Sequence, residues 1–282
     1  METAPPGRKM ALSVLDLPVF AKETLGLSGL NLPTDMLAGA DSQRLENIRE
    51  RADKAGCSCL LLIESDAQAL SSDGEAGDAA VVRMGRVIRA AALLGCNSVA
   101  MKLKPAEGDK AFETTSKRLR KIVDNMEKLD ISILIAPSDG LTSQPEKLTD
   151  LIKKVGGFRI GTFPDFQTAS KAKDPVVYLR RLCPYASAVC AATVSFKARA
   201  EATEEAPAPP AVHEGYDLAP LVQAVSSVGY QGTLAIEYRG KDDVLRGVIN
   251  SRDALLDALV EPEEPEALDD DEEDLPDAEE TA

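Results

Sequence analysis

The run Leu234-Ala235-Ile236-Glu237-Tyr238-Arg239 carries an apolar, strand-length segment into a carboxylate and a guanidinium, and Gly240 follows at once. A carboxylate at the C-terminal end of a strand, where the chain turns toward a helix, can move a proton or ligate a cation. Glu237 is therefore the first candidate for catalysis and for metal ligation. Arg239 offers a planar fork of donors for an anionic ligand, or equally a partner that fixes the orientation of Glu237. Other charged residues end other apolar runs. Glu64 and Asp66 follow the run 57–63, and Lys102 and Lys104 close the run 98–103. The two lysines suit a phosphate or carboxylate ligand, or stand solvated. His213, the only histidine, follows a segment rich in Ala, Glu and Pro; it either reaches a site or stays in solvent.

These side chains need a scaffold, and the sequence repeats one. Apolar runs rich in Val, Ile and Leu occur at 28–32, 57–63, 98–103, 131–135, 159–163, 186–191 and 233–238, and they read as strands. Amphipathic segments fall between them at 41–55, 78–94, 111–129, 143–155, 217–228 and 242–260. Asp41 and Ser143 are placed to start helices, while Gly56, Gly95 and Gly156 are placed to stop them. Repeated βα units imply a parallel sheet, closed as an α/β barrel or open and doubly wound. Residues 10–14 are a possible short eighth strand that would close the barrel, just before a helix-like stretch at 17–25. A single barrel domain over 10–260 follows, with a flexible segment at 1–9.

The formal charge of −15 is unevenly spread. Residues 261–282 hold thirteen Asp or Glu and no Lys or Arg, leaving −2 for everything before them. Such a tail has too little apolar surface to repay ordering and reads as disordered. Residues 198–212 read as a mobile βα loop, either a lid or a plain insertion. No basic cluster suits nucleic acid. Five cysteines inside mostly apolar runs suit reduced, buried thiols, and no segment reaches membrane-spanning length, so a soluble cytoplasmic protein is expected. Oligomeric state is not legible.

The chain resembles the sugar phosphate isomerase/epimerase family, with its xylose isomerase-like TIM barrel. The resemblance rests on Leu25-Gly26-Leu27-Ser28-Gly29-Leu30-Asn31-Leu32, on Ala90 to Cys96, on Gly161-Thr162-Phe163-Pro164-Asp165-Phe166, and above all on Gly229-Tyr230-Gln231-Gly232 followed by Ile236-Glu237-Tyr238. It implies a TIM (β/α)8 barrel in which two Glu, an Asp and a His hold a divalent cation beside a sugar or sugar phosphate. The cation polarises a carbonyl while carboxylates on opposite faces move a proton. Asp165 and Glu237 stand where the family's Asp and last Glu stand. Ala136 stands where a Glu is expected, and Cys190-Ala191-Ala192 runs where the His should be. Asp139 can replace the missing carboxylate or merely serve its turn, and Cys190 can ligate zinc or simply pack. The expected cofactor is Mg²⁺ or Mn²⁺, or zinc if Cys190 contributes, with no nucleotide. Two readings stay open: an isomerase or epimerase with an altered metal site, and an inactive barrel binding a sugar-like ligand, an anion or a protein.

Overall fold

Aspartate side chains start four of the helices. Asp41, Asp165, Asp174 and Asp243 each accept a hydrogen bond from the backbone N–H three residues on, at 2.7–2.9 Å. Each satisfies a donor that the first helical turn leaves without an intrahelical partner. In the computed structural model, which describes residues 12–197 and 211–260, the elements run α1 (Leu17–Glu23), β1 (Gly29–Pro33), α2 (Ser42–Ala55), β2 (Ser58–Ile63), α3 (Glu75–Leu94), β3 (Ser98–Met101) and α4 (Asp109–Met126). They continue with β4 (Ser132–Ile135), α5 (Pro145–Val155), β5 (Ile160–Thr162), α6 (Phe166–Ala169), α7 (Pro175–Leu182), β6 (Ala188–Thr193), α8 (Ala219–Ser226), β7 (Thr233–Tyr238) and α9 (Val244–Leu259).

All seven expected strands form, with ends shifted by two residues or fewer. Strands β1 to β5 pair in chain order and all in parallel, and β6 pairs with β7 in parallel. Single bridges, Thr162 with Ala186 and Asp165 with Cys190, link the end of β5 to β6. A doubly wound sheet reverses its strand order at a switch point. This order never reverses, and the strands curve round as a barrel. At the β5–β6 link, a methyl on Gly161 would lie 2.2 Å from the Tyr185 carbonyl oxygen, so only glycine allows the close approach. Thr162 Oγ1 donates to the Leu182 carbonyl at 2.8 Å and fastens the same junction.

The possible eighth strand at 10–14 falls only partly within the described residues, and the described part is not a strand. Met10 and Ala11 lie outside the described residues, while Val14 to Asp16 form a turn in which the Asp16 N–H bonds to the Ser13 carbonyl. With Pro18 in the first turn of α1, the chain is already committed to a helix there. Among the described residues no backbone pair joins β7 to β1. Helix α7 was absent from the sequence reading, although Asp174-Pro175 is a regular helix start.

Alternation along the strands separates two apolar layers. Val99, Met101, Ile133, Ile135, Val189 and Ala191 face the helices, where Ile48, Met84, Ile88, Leu119 and Leu151 cover them. Leu61, Ala100, Leu134, Ala136, Phe163, Ala188, Cys190 and Ala192 fill the interior of the barrel. Five of these eight are Ala or Cys. Small side chains there leave room at the mouth.

Only the last two residues of the expected loop at 198–212 fall within the described residues. Residues 198–210 lie outside the described residues, as do 1–9 and the acidic 261–282, but Ala211 and Val212 are placed. The Lys197 N–H donates to the Val212 carbonyl and the Glu214 N–H to the Ser195 carbonyl, both at 3.0 Å. Phe196 and His213 thus form an antiparallel bridge that brings the two ends together.

Candidate functional site

Glu237 and Arg239 lie two residues apart at the extended end of β7, so both side chains project to one side. The Arg239 N–H donates to the Thr193 carbonyl and keeps that stretch against β6. Cys190 is a diagonal neighbour of Glu237, because Ala192 is the residue paired with it across the ladder. Asp165 arrives from the end of β5, held by its bridge to Cys190 and by its role as the start of α6. Four side chains from three strands therefore converge.

At their centre is the guanidinium of Arg239. Its Nε donates to Glu237 Oε1 at 2.9 Å, and its Nη2 donates to Glu237 Oε2 at 2.8 Å and to Asp165 Oδ2 at 2.6 Å. Nη1 donates to Gln167 Oε1 at 2.9 Å, and Nη2 lies 3.6 Å from Cys190 Sγ. The Cys190 thiol in turn donates to Glu237 Oε2 at 3.1 Å. The Asp165 side chain is 11% exposed, that of Arg239 30% and that of Glu237 50%, so the cluster grades from buried to open toward the mouth.

The electrostatics follow from these contacts. Hydrogen bonds from Arg239 outweigh burial and hold Glu237 below its ordinary pKa. Burial opposes the charge on Arg239, but its bonds to Glu237 and Asp165 win and fix the guanidinium as a cation. Burial, aided by the two neighbouring carboxylates, pushes the Cys190 thiol well above its usual range. Without a cation between them, two carboxylates at this separation would repel by roughly 3 kcal/mol at an effective dielectric of about 20. Arg239 removes that cost.

The cluster forms one wall of a cavity of about 350 Å³ at the barrel mouth. Asn31, Glu64, Ser65, Lys102 and Thr168 contribute polar groups, and Ile63, Ala100, Ala136, Phe163 and Ile236 supply apolar surface. Glu64 is buried; Oε2 accepts from Arg83 Nε at 2.9 Å and Oε1 accepts from the Asp66 N–H at 3.1 Å, so its charge is already partnered. Asp66 itself is exposed. Lys102 is exposed at the rim with no ion-pair partner among the described residues, and its charge also favours ionised Glu237.

Three other candidates do not line this cavity. Lys104 is exposed, with its backbone N–H on the Gln68 carbonyl. Asp139 is exposed at the start of a single turn over Gly140–Thr142 and makes no side-chain cap. That turn is fastened by Ser138, whose Oγ donates to the Leu103 carbonyl at 3.1 Å, and by Gly140, which packs directly on the backbone of Ala106. His213 turns inward, but toward main chain. Its Nε2 accepts from the Val194 N–H at 2.9 Å, leaving the proton on Nδ1 to meet the Tyr216 carbonyl at 2.8 Å. Burial lowers its pKa, in keeping with the neutral ring. Its ring also packs edge-on between Phe196 and Tyr216.

Gln167, Thr168, Arg83 and Tyr216 were missed in the sequence. Burial raises the Tyr216 hydroxyl pKa with help from Asp165, and that hydroxyl bonds the Ala192 carbonyl beside the cluster. Only the Asp165 to Thr168 spacing, that of a helix cap, carried a local signal for any of the four.

Asp165, Cys190 and Glu237 each offer one ligand atom, and these atoms lie within 4.8 Å of one another. That is the spacing of a metal centre, whose bonds run to roughly 2.0–2.3 Å. Arg239 Nη2, however, lies against all three, 2.6 Å from Asp165 Oδ2, 2.8 Å from Glu237 Oε2 and 3.6 Å from Cys190 Sγ. In this arrangement the cation in contact with both carboxylates is the guanidinium, and neither Ala136 nor His213 supplies a further donor to the cluster.

Comparison with known proteins agrees with the barrel. The family model for the xylose isomerase-like TIM barrel matches residues 20–260. No curated protein matches the sequence. Among solved structures, an L-ribulose 3-epimerase superimposes with a TM-score of 0.71 at 15% identity, over 89% of this chain and 91% of that one. A 3-keto-D-glucoside 4-epimerase from E. coli gives 0.69 at 12% identity, over 90% and 97%. The IolI protein, solved with a zinc atom, gives 0.67 at 14% identity, over 86% and 92%. At these identities the likeness speaks for the fold. From the family match and the barrel together, this chain belongs to the xylose isomerase-like TIM barrel family.

Proposed function

We propose that this barrel binds a small sugar-like or anionic ligand in its mouth and does not carry out metal-assisted isomerisation. The observation that carries this reading is the seat of Arg239 between Asp165 and Glu237, where an ion would have to sit. Epimerisation next to a carbonyl needs a base on each face of the carbon. Here Glu237 is engaged by Arg239 and Cys190 and held at a lowered pKa, a poor base, and Ala136 supplies no second one. What remains suits recognition. Half-exposed Glu237 can accept from hydroxyls, the Lys102 ammonium can meet a phosphate or carboxylate, and the apolar wall can cover a ring face.

The test pairs metal content with proton exchange. Purified protein should carry far less than one equivalent of Mg, Mn, Co or Zn by elemental analysis. Ketoses and ketose phosphates incubated with it in deuterated water should gain no deuterium by NMR. In calorimetry, sugar phosphates or sugar acids should bind, and Lys102→Ala should weaken them about 10-fold, the range of one charge-assisted hydrogen bond. Deuterium incorporation that requires an added metal would overturn the reading in favour of the enzyme.

A further inference from the structure

We infer that Arg239 is a built-in substitute for a divalent cation, and that removing its guanidinium would uncover a zinc site made of Asp165, Cys190 and Glu237. The inference concerns the cation alone and stands whichever ligand the mouth takes. Three observations meet in it. One nitrogen touches both carboxylates and approaches the thiol, which is the contact pattern of a metal ion rather than of a peripheral salt bridge. The three donor atoms already lie within 4.8 Å of one another, so no backbone shift is needed to gather them. Each donor is also held from behind. Asp165 is fixed by the N–H of Thr168 at 2.7 Å and Cys190 by its place in β6, while Glu237 lies in the paired part of β7.

The ligand chemistry selects the metal. Two carboxylates alone suit Mg²⁺ or Mn²⁺, but a thiolate added to them favours zinc. Zinc in a tetrahedral site sets its ligand atoms roughly 3.3–3.8 Å apart, within the spread present here, and leaves a fourth position for water at the open mouth. Binding would require the Cys190 thiol to give up its proton to solvent as the sulfur–metal bond forms. Arg239 prevents this in the native chain by occupying the space and by satisfying both carboxylates at once.

The experiment compares the full chain with Arg239→Ala, Arg239→Met and Arg239→Lys, using zinc chloride titrated against a chromophoric chelator. Native protein and Arg239→Lys, which keeps a cation, should take up no zinc attributable to Cys190. Arg239→Ala and Arg239→Met should each bind about one equivalent, and adding Cys190→Ser should abolish it. Cobalt in place of zinc should give those variants a thiolate-to-metal absorption band. Zinc should also raise their melting temperature while leaving that of the native chain unchanged, a readout that needs no activity. Circular dichroism identifies which variants fold. Two results would overturn the inference: native protein binding zinc in a way lost on Cys190→Ser, or a folded Arg239→Ala or Arg239→Met that binds none.

Discussion

Asp165 does two jobs with its two oxygens. Oδ1 starts α6 through the Thr168 N–H, and Oδ2 anchors Arg239. Substitutions separate the two. Asp165→Asn keeps an acceptor for the cap but loses the charge, whereas Asp165→Ala loses both. We expect Asp165→Ala to destabilise by about 2–3 kcal/mol and Asp165→Asn by roughly 1 kcal/mol less, as measured by urea unfolding. Equal losses would mean that the cap contributes nothing. At this scale the sequence was legible wherever chemistry is local. Glu237 and Arg239 sit side by side, and a carboxylate at a strand end is visible in one dimension. The contact between Arg239 and Asp165 joins residues 74 positions apart, and no spacing rule reaches that far. Whether Arg239 would serve a ligand or Glu237 could not be decided without it.

At the scale of elements, the strands read well because apolar runs bounded by Gly, Asp and Pro are long enough to carry a pattern. Of the segment 10–14, the described residues Leu12 to Val14 do not form a strand, since Pro18 and the turn at Val14 commit the chain to α1. His213 shows the opposite failure. Its partners are the main chain of Val194 and Tyr216, and main-chain groups leave no trace in residue types. The imidazole joins the end of β6 to the approach to α8, so His213→Ala should cost about 1–3 kcal/mol in unfolding without changing ligand affinity. The pH dependence has a definite sign. Its folded pKa is lowered from the ordinary 6.5, so its contribution is fully present above that pH. It is lost as pH falls from about 6.5 through the folded value, because the unfolded chain takes up the proton more readily. As the only histidine, it gives a single imidazole resonance to follow by NMR. A midpoint at or above 6.5 would contradict the neutral, doubly bonded ring.

Across the whole molecule, charge and thiol burial were both expected from composition, but only burial falls within the described residues. All five cysteines are buried and unpaired. Burial raises Cys59 to about 11, and Cys96 and Cys183 to about 12. Because the thiolate is the reactive form, a disulfide reagent should modify the native protein on the order of 100-fold more slowly than the same chain in guanidinium chloride. One thiol reacting at the rate of a free cysteine would show a local opening that the packing does not provide. The −15 formal charge belongs mostly to 261–282 rather than to the barrel, so the fold itself carries little net repulsion.

The guanidinium at the mouth has a consequence for supply. An ion must be won from the surroundings, and its occupancy rises and falls with what the medium provides. Arg239 is delivered by translation, cannot be stripped by a chelator and keeps its proton at any pH the fold tolerates. Its positive centre is present in every copy of the chain, whether the growth medium is starved of manganese or rich in it.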